Sequence, residues 1–430
     1  MKETKVLTSS WVFVALFACL TSMLLASPLP PPSARSVLAI DPQCPGGKPP
    51  PCPSPQRTPR PTSGRPLTPR GPRESRRNRR AQTPAATPSA NTDRNDHPGG
   101  AVSIVTEPKP TTSASDNAVR GGILLLQGKY AEAETQYREA VRLESSNAVY
   151  NHNLGLVLYS QQKYAEAESS YREAVRLNPN VAAYRVALGN ALFSQQKYAD
   201  SESQYREAVR LESRNAAYNN NLGIALGYQQ KYAEAESSYR EAVRLESSNA
   251  AYNNNLGLIL YYQQKYAEAE RYHREAVRLN PNVAAYHDNL GSSLFSQQKY
   301  ADSESQYREA VRLESSSAAY NSNLGLVLLY QQKYAEAESS YREAVRLESS
   351  NAAYNNTLGL ILYYQKKYAE AERYHREAVR LSPNVASYHD SLGDDFYYQA
   401  KYEEAKAQYR EAERLDPGNP KYRESLKRIP

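Results

Sequence analysis

Residues 148–181 read AVYNHNLGLVLYSQQKYAEAESSYREAVRLNPNV, and near copies of this 34-residue stretch fill most of the 430-residue chain. The dipeptide Lys-Tyr within it recurs nine times, from Lys129 to Lys401, and every interval is 34 residues. Spacing without insertions indicates one rigid supersecondary unit that stacks on itself. The repeated unit therefore decides the fold.

Apolar side chains within the unit follow the period of an α-helix twice. Tyr150, Leu154 and Leu158 recur at four-residue intervals and predict a first amphipathic helix. After a polar Gln-Gln-Lys break, a second amphipathic pattern runs over Tyr164–Leu177. Pro179 cannot continue that helix. Each unit is thus predicted to be a pair of antiparallel helices.

These residues resemble the tetratricopeptide repeat consensus, of the exported bacterial (cyanobacterial-like) type. The resemblance covers residues 114–419, as nine units of 34 residues. It implies an all-α fold, a right-handed superhelical solenoid of helix pairs whose first helices line a concave groove that holds other proteins or peptides. The family's marker residues fall on Leu154, Gly155, Ala167, Tyr171, Ala174 and Pro179.

Two features of the unit depart from the family pattern. The aromatic residue usual at the fourth position stands at the third, as Tyr150, and the usual glycine between the helices is Gln162. Because a non-glycine residue in a left-handed turn costs about 1 kcal/mol, we expect a different turn geometry. The first unit carries Arg120 in place of leucine and is predicted to cap the repeat solenoid, residues 114–419. Residues 420–430 are predicted to form a C-terminal capping helix.

The chain before the repeats divides into two segments. Lys2 and Lys5 precede the apolar run Trp11–Ala26, so residues 1–27 are predicted to be a cleaved signal peptide, a membrane anchor or, least favoured, a lipoprotein signal. All three place the repeats across the membrane, in the periplasm or the extracellular space. Residues 28–113 are rich in Pro and Arg and are predicted to be a disordered linker.

The linker carries the basic charge of the chain. The net charge is +7, and the excess of Lys and Arg lies in the linker, which leaves the repeats nearly neutral. This distribution disfavours nucleic acid as a partner of the repeats. The Arg-rich run 73–80 is interpreted as a solvated spacer, with docking to anionic polymer or nucleic acid as the alternative. If the chain is exported, Cys44 and Cys52 could form a local disulfide, and the sequence does not decide whether they do.

The resemblance assigns positions two, five, six, nine, twelve and thirteen of each unit to the groove. An asparagine row at the sixth position resembles the asparagine ladder of O-GlcNAc transferases, which implies pairing with a peptide backbone; the alternative is that these amides tie adjacent helices. The twelfth and thirteenth positions are aromatic, which suits extended apolar or Pro-rich segments, unless some of these rings pack between units. The candidate groove residues are Asn153, Asn221, Asn255, Asn289, Asn323, Tyr159, Tyr228, Tyr261, Tyr262, Tyr330, Tyr363 and Tyr364.

Motifs that carry chemistry are scarce. We find no phosphate loop, metal signature, catalytic triad or nucleophile elbow, and so predict neither an enzyme nor a cofactor. His273 and His375 lie one 102-residue block apart, and His-Asp pairs stand at 287–288 and 389–390. A metal site is conceivable there, but core or surface histidines are the favoured interpretation.

The sequence predicts a scaffold that binds extended protein segments in its groove. No small-molecule ligand is expected, and the membrane is expected to be met only through the N-terminal segment. The alternative is a cell-envelope structural spacer whose Arg-rich linker docks to anionic polymer or nucleic acid.

Overall fold

The computed structural model describes residues 112–430, and the predicted signal segment and nearly all of the linker lie outside them. The described chain is all-helical, as the sequence predicts: nine helix-turn-helix pairs are followed by one further helix. We number the pairs as repeats 1 to 9, so that odd-numbered helices α1 to α17 come first in each pair. The helices are α1 (Ala114–Leu126), α2 (Tyr130–Leu143), α3 (Ala148–Ser160), α4 (Tyr164–Leu177), α5 (Ala182–Ser194), α6 (Tyr198–Leu211), α7 (Ala216–Tyr228), α8 (Tyr232–Leu245), α9 (Ala250–Tyr262), α10 (Tyr266–Leu279), α11 (Ala284–Ser296), α12 (Tyr300–Leu313), α13 (Ala318–Tyr330), α14 (Tyr334–Leu347), α15 (Ala352–Tyr364), α16 (Tyr368–Leu381), α17 (Ala386–Tyr398), α18 (Tyr402–Leu415) and α19 (Pro420–Lys427).

Local signals set the ends of these helices. The Asn147 side chain accepts hydrogen bonds from the backbone N–H groups of Val149 and Tyr150, which caps α3. The following helix α4 has Glu166 in its first turn and Arg176 in its last turn. Each charge thus lies at the helix end that carries the opposite partial charge, which stabilises the helix. The repeat thus begins and ends its helices by means that are readable in sequence.

The turn between paired helices keeps a left-handed residue despite the loss of glycine. Gln162 has a φ of 61°, close to the 74° of Gly128 in repeat 1. Backbone bonds from Gln162 N–H to the Tyr159 carbonyl and from Lys163 N–H to the Leu158 carbonyl, both 2.9 Å, close the turn. The expectation of a different turn geometry is therefore wrong, because these bonds outweigh a local cost of about 1 kcal/mol.

Each pair of helices is held at close range by a glycine against an aromatic ring. A Cβ atom built on Gly155 would lie 2.7 Å from the Tyr171 ring, which is 2% exposed. The same contact recurs in all nine repeats, with histidine in place of the tyrosine in two of them, His273 at Gly257 and His375 at Gly359. Such a separation leaves no room for a side chain, so the eighth position of the repeat must be glycine.

Stacking extends the paired helices along the described chain. Each helix packs on the next, and first helices of adjacent repeats also approach one another. Buried Leu, Ile, Ala and Tyr side chains fill the space between them. The predicted α-solenoid is confirmed. Among the described residues, no helix combines the length and apolar character that a membrane span requires.

We predict that Gly223→Ala lowers the free energy of unfolding by about 1–3 kcal/mol. The new methyl group would meet the Tyr239 ring 2.8 Å away, and that ring is fully buried. Gly122→Ala is the matched control, because its methyl group would meet only the Tyr137 hydroxyl at 3.3 Å. Thermal melts followed by circular dichroism decide the point, and a Gly223→Ala protein as stable as the wild type would contradict it.

Candidate functional site

The aromatic residues at the ends of the first helices form clusters with the tyrosine of the Lys-Tyr motif. The Tyr159 ring lies 5.2 Å from Tyr164, and Tyr261 lies 5.2 Å from Tyr266 in the same way. Rings at the thirteenth position reach back to the preceding repeat, as Tyr262 does in a stacked pair 5.6 Å from Tyr232. We call these groups the aromatic clusters.

All seven predicted tyrosines belong to the aromatic clusters. Tyr330 packs 5.0 Å from Phe295 and is 8% exposed, whereas the other six are half-buried. Each therefore serves inter-helix packing with one side, and the half-buried rings retain some accessible surface. The remaining members are Tyr228 with Tyr198, Tyr363 with Tyr368 and Tyr364 with Tyr334.

The asparagine row lies between first helices of adjacent repeats. Asn255 Nδ2 donates to Asn220 Oδ1 at 3.0 Å. The next repeat copies this bond, since Asn289 Nδ2 donates to Asn254 Oδ1 at 2.8 Å. In these repeats the sixth-position amide donates a hydrogen bond to the fifth-position side chain of the preceding repeat. These bonds join adjacent first helices, which is the alternative role that the sequence analysis left open for the asparagines.

Asn323 and Asn221, also at the sixth position, make different hydrogen bonds. Asn323 Nδ2 donates to a carboxylate, Asp288 Oδ1, at 2.7 Å. Asn221 Oδ1 accepts a long bond of 3.5 Å from Asn220 within its own helix. Asn221, Asn255, Asn289 and Asn323 are only 2–5% exposed, whereas Asn153 is half-buried. Pairing of these amides with a bound peptide stays a prediction.

Third-position tyrosines lie against the fifth-position side chain of the preceding repeat. The His152 and Tyr184 rings are 4.9 Å apart, and Tyr184 is largely buried. Burial raises the pKa of Tyr354, and the Ser322 side chain in the equivalent place opposes that shift. The sequence analysis assigned the fifth position to the groove but missed its contact with the third-position tyrosine of the following repeat. The available signal was the shift of the aromatic residue from the fourth position to the third.

Two aspartates occupy this fifth-position layer, one block apart. Burial raises the pKa of the Asp288 carboxyl to about 7, and the Asn323 amide opposes that shift. Within residues 112–430, its second oxygen, Oδ2, has no hydrogen-bond partner. Asp390 is also fully buried, but the Lys421 ammonium of α19 lies 2.8 Å from its Oδ2. The Ser425 hydroxyl donates to Asp390 Oδ1 at 3.3 Å.

The four histidines considered for a metal site each contact other groups of the protein, and two of them reach the following repeat. The His273 ring nitrogen Nδ1 lies 2.9 Å from the Ser293 hydroxyl, and burial lowers the pKa of His273 to about 3. His375 Nδ1 contacts the Asp395 carboxylate at 2.5 Å, and both side chains are fully buried. His287 and His389 each contact a glutamine and a proline carbonyl. Among the described residues, no group of three or more metal-binding side chains forms.

Charged side chains of the second helices are paired across repeats. Burial alone would raise the pKa of Glu236, but hydrogen bonds from Lys265, Arg240 and Gln263 lower it to about 2. This lysine–glutamate pair recurs from each repeat to the next, so these charges bind one another rather than form a basic patch. The pairs are Lys163–Glu134, Lys197–Glu168, Lys231–Glu202, Lys265–Glu236, Lys299–Glu270, Lys333–Glu304, Lys367–Glu338 and Lys401–Glu372.

We predict that Asn255→Ala destabilises the array by about 1–3 kcal/mol, because it leaves the buried Asn220 oxygen without its donor. In a double-mutant cycle with Asn220→Ala, the double variant should lose less unfolding free energy than the two single variants lose in total. Asn180→Ala, at an exposed position, serves as the control. Strictly additive effects in chemical unfolding would show that the amide pair does not tie the repeats.

We predict that Asp288→Asn stabilises the protein at neutral pH. Burial holds the folded-state pKa at about 7, above the value of about 4 that is usual for an aspartate, so the wild type loses stability as the pH rises between these two values. The asparagine variant lacks that loss. The difference in unfolding free energy between the variant and the wild type should reach on the order of 2–4 kcal/mol above pH 7 and vanish below about pH 4.

The control for this pH effect is the reverse exchange, Asn254→Asp, in the equivalent and fully buried place. It should add a second loss of stability over the same pH range. Thermal melts between pH 4 and 8 measure both variants, and an unchanged pH profile for Asp288→Asn would contradict the assignment.

Comparison with known proteins gives matches along the repeats. A tetratricopeptide repeat family model matches residues 152–220, 186–250, 220–284, 289–329, 322–386 and 391–426, and a second repeat model matches 121–162. No curated protein sequence matches the chain.

Several solved structures are similar in fold. PilF of Pseudomonas aeruginosa is 23% identical, with a TM-score of 0.43 over 48% of this chain and 94% of that one. A tetratricopeptide repeat protein from Parabacteroides merdae is 15% identical, with a TM-score of 0.47 over 58% and 98%. YrrB, described as a repeat protein with an unusual peptide-binding site, is 20% identical, with a TM-score of 0.39 over 46% and 99%.

These identities are low, so the assignment rests on the repeat models. They match most of the region in which the structure has paired helices. Together they span more than half of the sequence, and the chain therefore belongs to the tetratricopeptide repeat family.

Proposed function

We propose that this protein is a scaffold that holds extended protein segments in the concave groove of its repeats. Tetratricopeptide repeat proteins are in general non-enzymatic scaffolds for protein interactions, and membership of the family supports that broad role here. The finer proposal concerns which surface meets the partner. It rests on one observation, the half-buried rings of the aromatic clusters.

The aromatic clusters offer a surface that suits a peptide. Tyr261 and Tyr262 present rings that are held by neighbours and so lose little further freedom on binding. A tyrosine ring combines a broad apolar face with a hydroxyl group, which suits extended backbone and proline side chains. A partner segment running along successive repeats would meet one cluster after another.

The charge of the groove positions narrows the class of partner. The second position of the repeats is Ala, Val or Ser, as at Val149, and the fifth position holds no lysine, so no cationic clamp for acidic tails is present at these positions. Asp288 adds a buried acid instead. We therefore propose apolar or Pro-rich segments as partners, with neither catalysis nor a cofactor involved.

We further propose that the repeats act outside the cytoplasm. Support comes from Lys2, Lys5 and the apolar run Trp11–Ala26 in the sequence. Cell fractionation with an epitope after residue 430 tests the proposal, and a purely cytoplasmic signal would contradict it. The alternative role as an envelope spacer depends on the Arg-rich run 73–80, which lies outside the described residues.

We predict that Tyr262→Ser weakens binding of peptides selected from a random displayed library by tenfold or more, since truncation of an aromatic hot-spot residue at an interface costs about 2 kcal/mol or more. Fluorescence anisotropy with the full chain measures the affinity. Tyr272→Ser, which removes a half-buried ring from second helix α10, is the matched control.

Melting temperatures of both variants separate binding from stability, because Tyr262 also stacks on Tyr232. A folded Tyr262→Ser protein that binds every selected peptide as the wild type does would exclude the aromatic clusters as the binding surface. Equal losses of peptide affinity in Tyr262→Ser and Tyr272→Ser would also contradict the groove as the binding surface.

A further inference from the structure

The carboxylates of Asp288 and Asp390 occupy the same place in the fold, 102 residues apart. Each stands at the fifth position of a first helix, and each is fully buried. Asp288 Oδ1 accepts a hydrogen bond from Asn323 of α13 at 2.7 Å. Asp390 Oδ1 accepts one in the same way from Ser425 of α19 at 3.3 Å, and Ser425 is again 102 residues beyond Asn323. The two sites can therefore be compared atom by atom.

The second carboxylate oxygen is paired in one site and not in the other. Asp390 Oδ2 lies 2.8 Å from the Lys421 ammonium, and the Lys421 side chain is itself only 12% exposed. In the part of the chain that the structure describes, Asp288 Oδ2 has no such donor. The residue 102 places before Lys421 is Ala319, which carries only a methyl group. Asp288 thus has the amide of its counterpart site but not the cation.

A buried carboxylate is stabilised by a cation at close range. Burial raises the pKa of both carboxyls, to about 7 at Asp288. The Lys421 ammonium opposes this shift at Asp390, whereas the neutral Asn323 amide opposes it at Asp288. An ammonium or guanidinium placed at Asp288 Oδ2 would favour the ionised carboxylate in the same manner. The site therefore suits a positively charged group and disfavours an anion.

The course of the Lys421 side chain shows how a cation can approach such a site. Tyr320 and Tyr422 are the third-position rings of α13 and α19, and they are 9% and 4% exposed. Because Lys421 reaches Asp390 from the helix that carries Tyr422, a ring at this position does not bar the route. Ala319 is half-buried and ends where the four-carbon stem of Lys421 begins. A side chain of a bound segment can therefore take the course of that stem in repeat 7.

We propose that Asp288 selects partner segments that carry a lysine or an arginine, whose cation pairs with Asp288 Oδ2 beside Ala319. The inference rests on the proposed groove function and adds one basic side chain to the apolar or Pro-rich segment proposed there. A lysine can reproduce the 2.8 Å contact that Lys421 makes with Asp390. The fifth position carries no acid in repeats 1–5, 7 and 8, so the basic side chain is required at one place along the groove.

Two parallel selections from one random displayed peptide library, on the full-length wild type and on Asp288→Asn, test the proposal. Both are made at pH 8, where Asp288 with a pKa of about 7 is mostly ionised. Peptides selected on the wild type should carry a lysine or arginine at one aligned place, and those selected on Asp288→Asn should not. Replacing that residue with norleucine, which is uncharged, should weaken binding to the wild type by about tenfold or more. The same replacement should change binding to Asp288→Asn by less than about twofold.

Ala319→Lys supplies the cation from within the chain, as α19 does with Lys421. This variant should melt at a higher temperature at pH 8 and should lose the preference for the basic peptide over its norleucine counterpart. Ala285→Lys is the matched control, because Ala285 is half-buried at the second position of repeat 6 and the fifth position before it is the neutral Asn254. It should keep the preference of the wild type and gain no melting temperature.

The outcomes separate this inference from the groove function on which it rests. Peptides that bind the wild type and Asp288→Asn alike, with no loss on replacement by norleucine, overturn the inference and leave the groove function standing. A wild type that retains no peptide overturns the groove function, and the inference with it. Equal gains in melting temperature for Ala319→Lys and Ala285→Lys also overturn the inference, since the gain would then not depend on Asp288. Far-UV circular dichroism verifies that each variant is folded.

Discussion

The contact of an eighth-position glycine with a buried aromatic ring is the constraint on which the structure depends. At Gly223 the Tyr239 ring lies within 2.8 Å of a Cβ position, so the helices of a pair approach as closely as backbone and ring allow. Because all nine repeats keep this contact, the helix pairs stack with nearly the same geometry. Equal stacking then aligns fifth- and sixth-position side chains between repeats and brings thirteenth-position rings onto the Lys-Tyr tyrosine of the repeat before.

The sequence predicted most of the fold because its signals are local and repeated. The break at Gln161–Lys163 and the stop at Pro179 fall within a residue or two of the helix ends in the structure. Turn geometry escaped prediction, because the intrinsic preference of Gln162 opposes a conformation that hydrogen bonds impose. At this turn, the hydrogen bonds between the paired helices stabilise a left-handed conformation that glutamine by itself disfavours.

The candidate site was predicted less completely, since its contacts join different repeats. The partner of Asn255 lies 35 residues away, and nothing in the local pattern shows whether its amide meets a ligand or Asn220. The fully buried Asp288 likewise has its hydrogen-bond donor, Asn323, in the following repeat. For the aromatic clusters, the sequence named the seven tyrosines as groove candidates, but it did not show their packing on the tyrosines of second helices.

The central claim is that partner segments lie on the aromatic clusters of the first helices. Photocrosslinking tests it most directly, with p-benzoylphenylalanine placed either at Tyr262 or at Tyr272 and a selected, labelled peptide as partner. The account predicts a crosslink from position 262 that unlabelled peptide abolishes, and none from 272. A crosslink from 272 but not from 262 would contradict it.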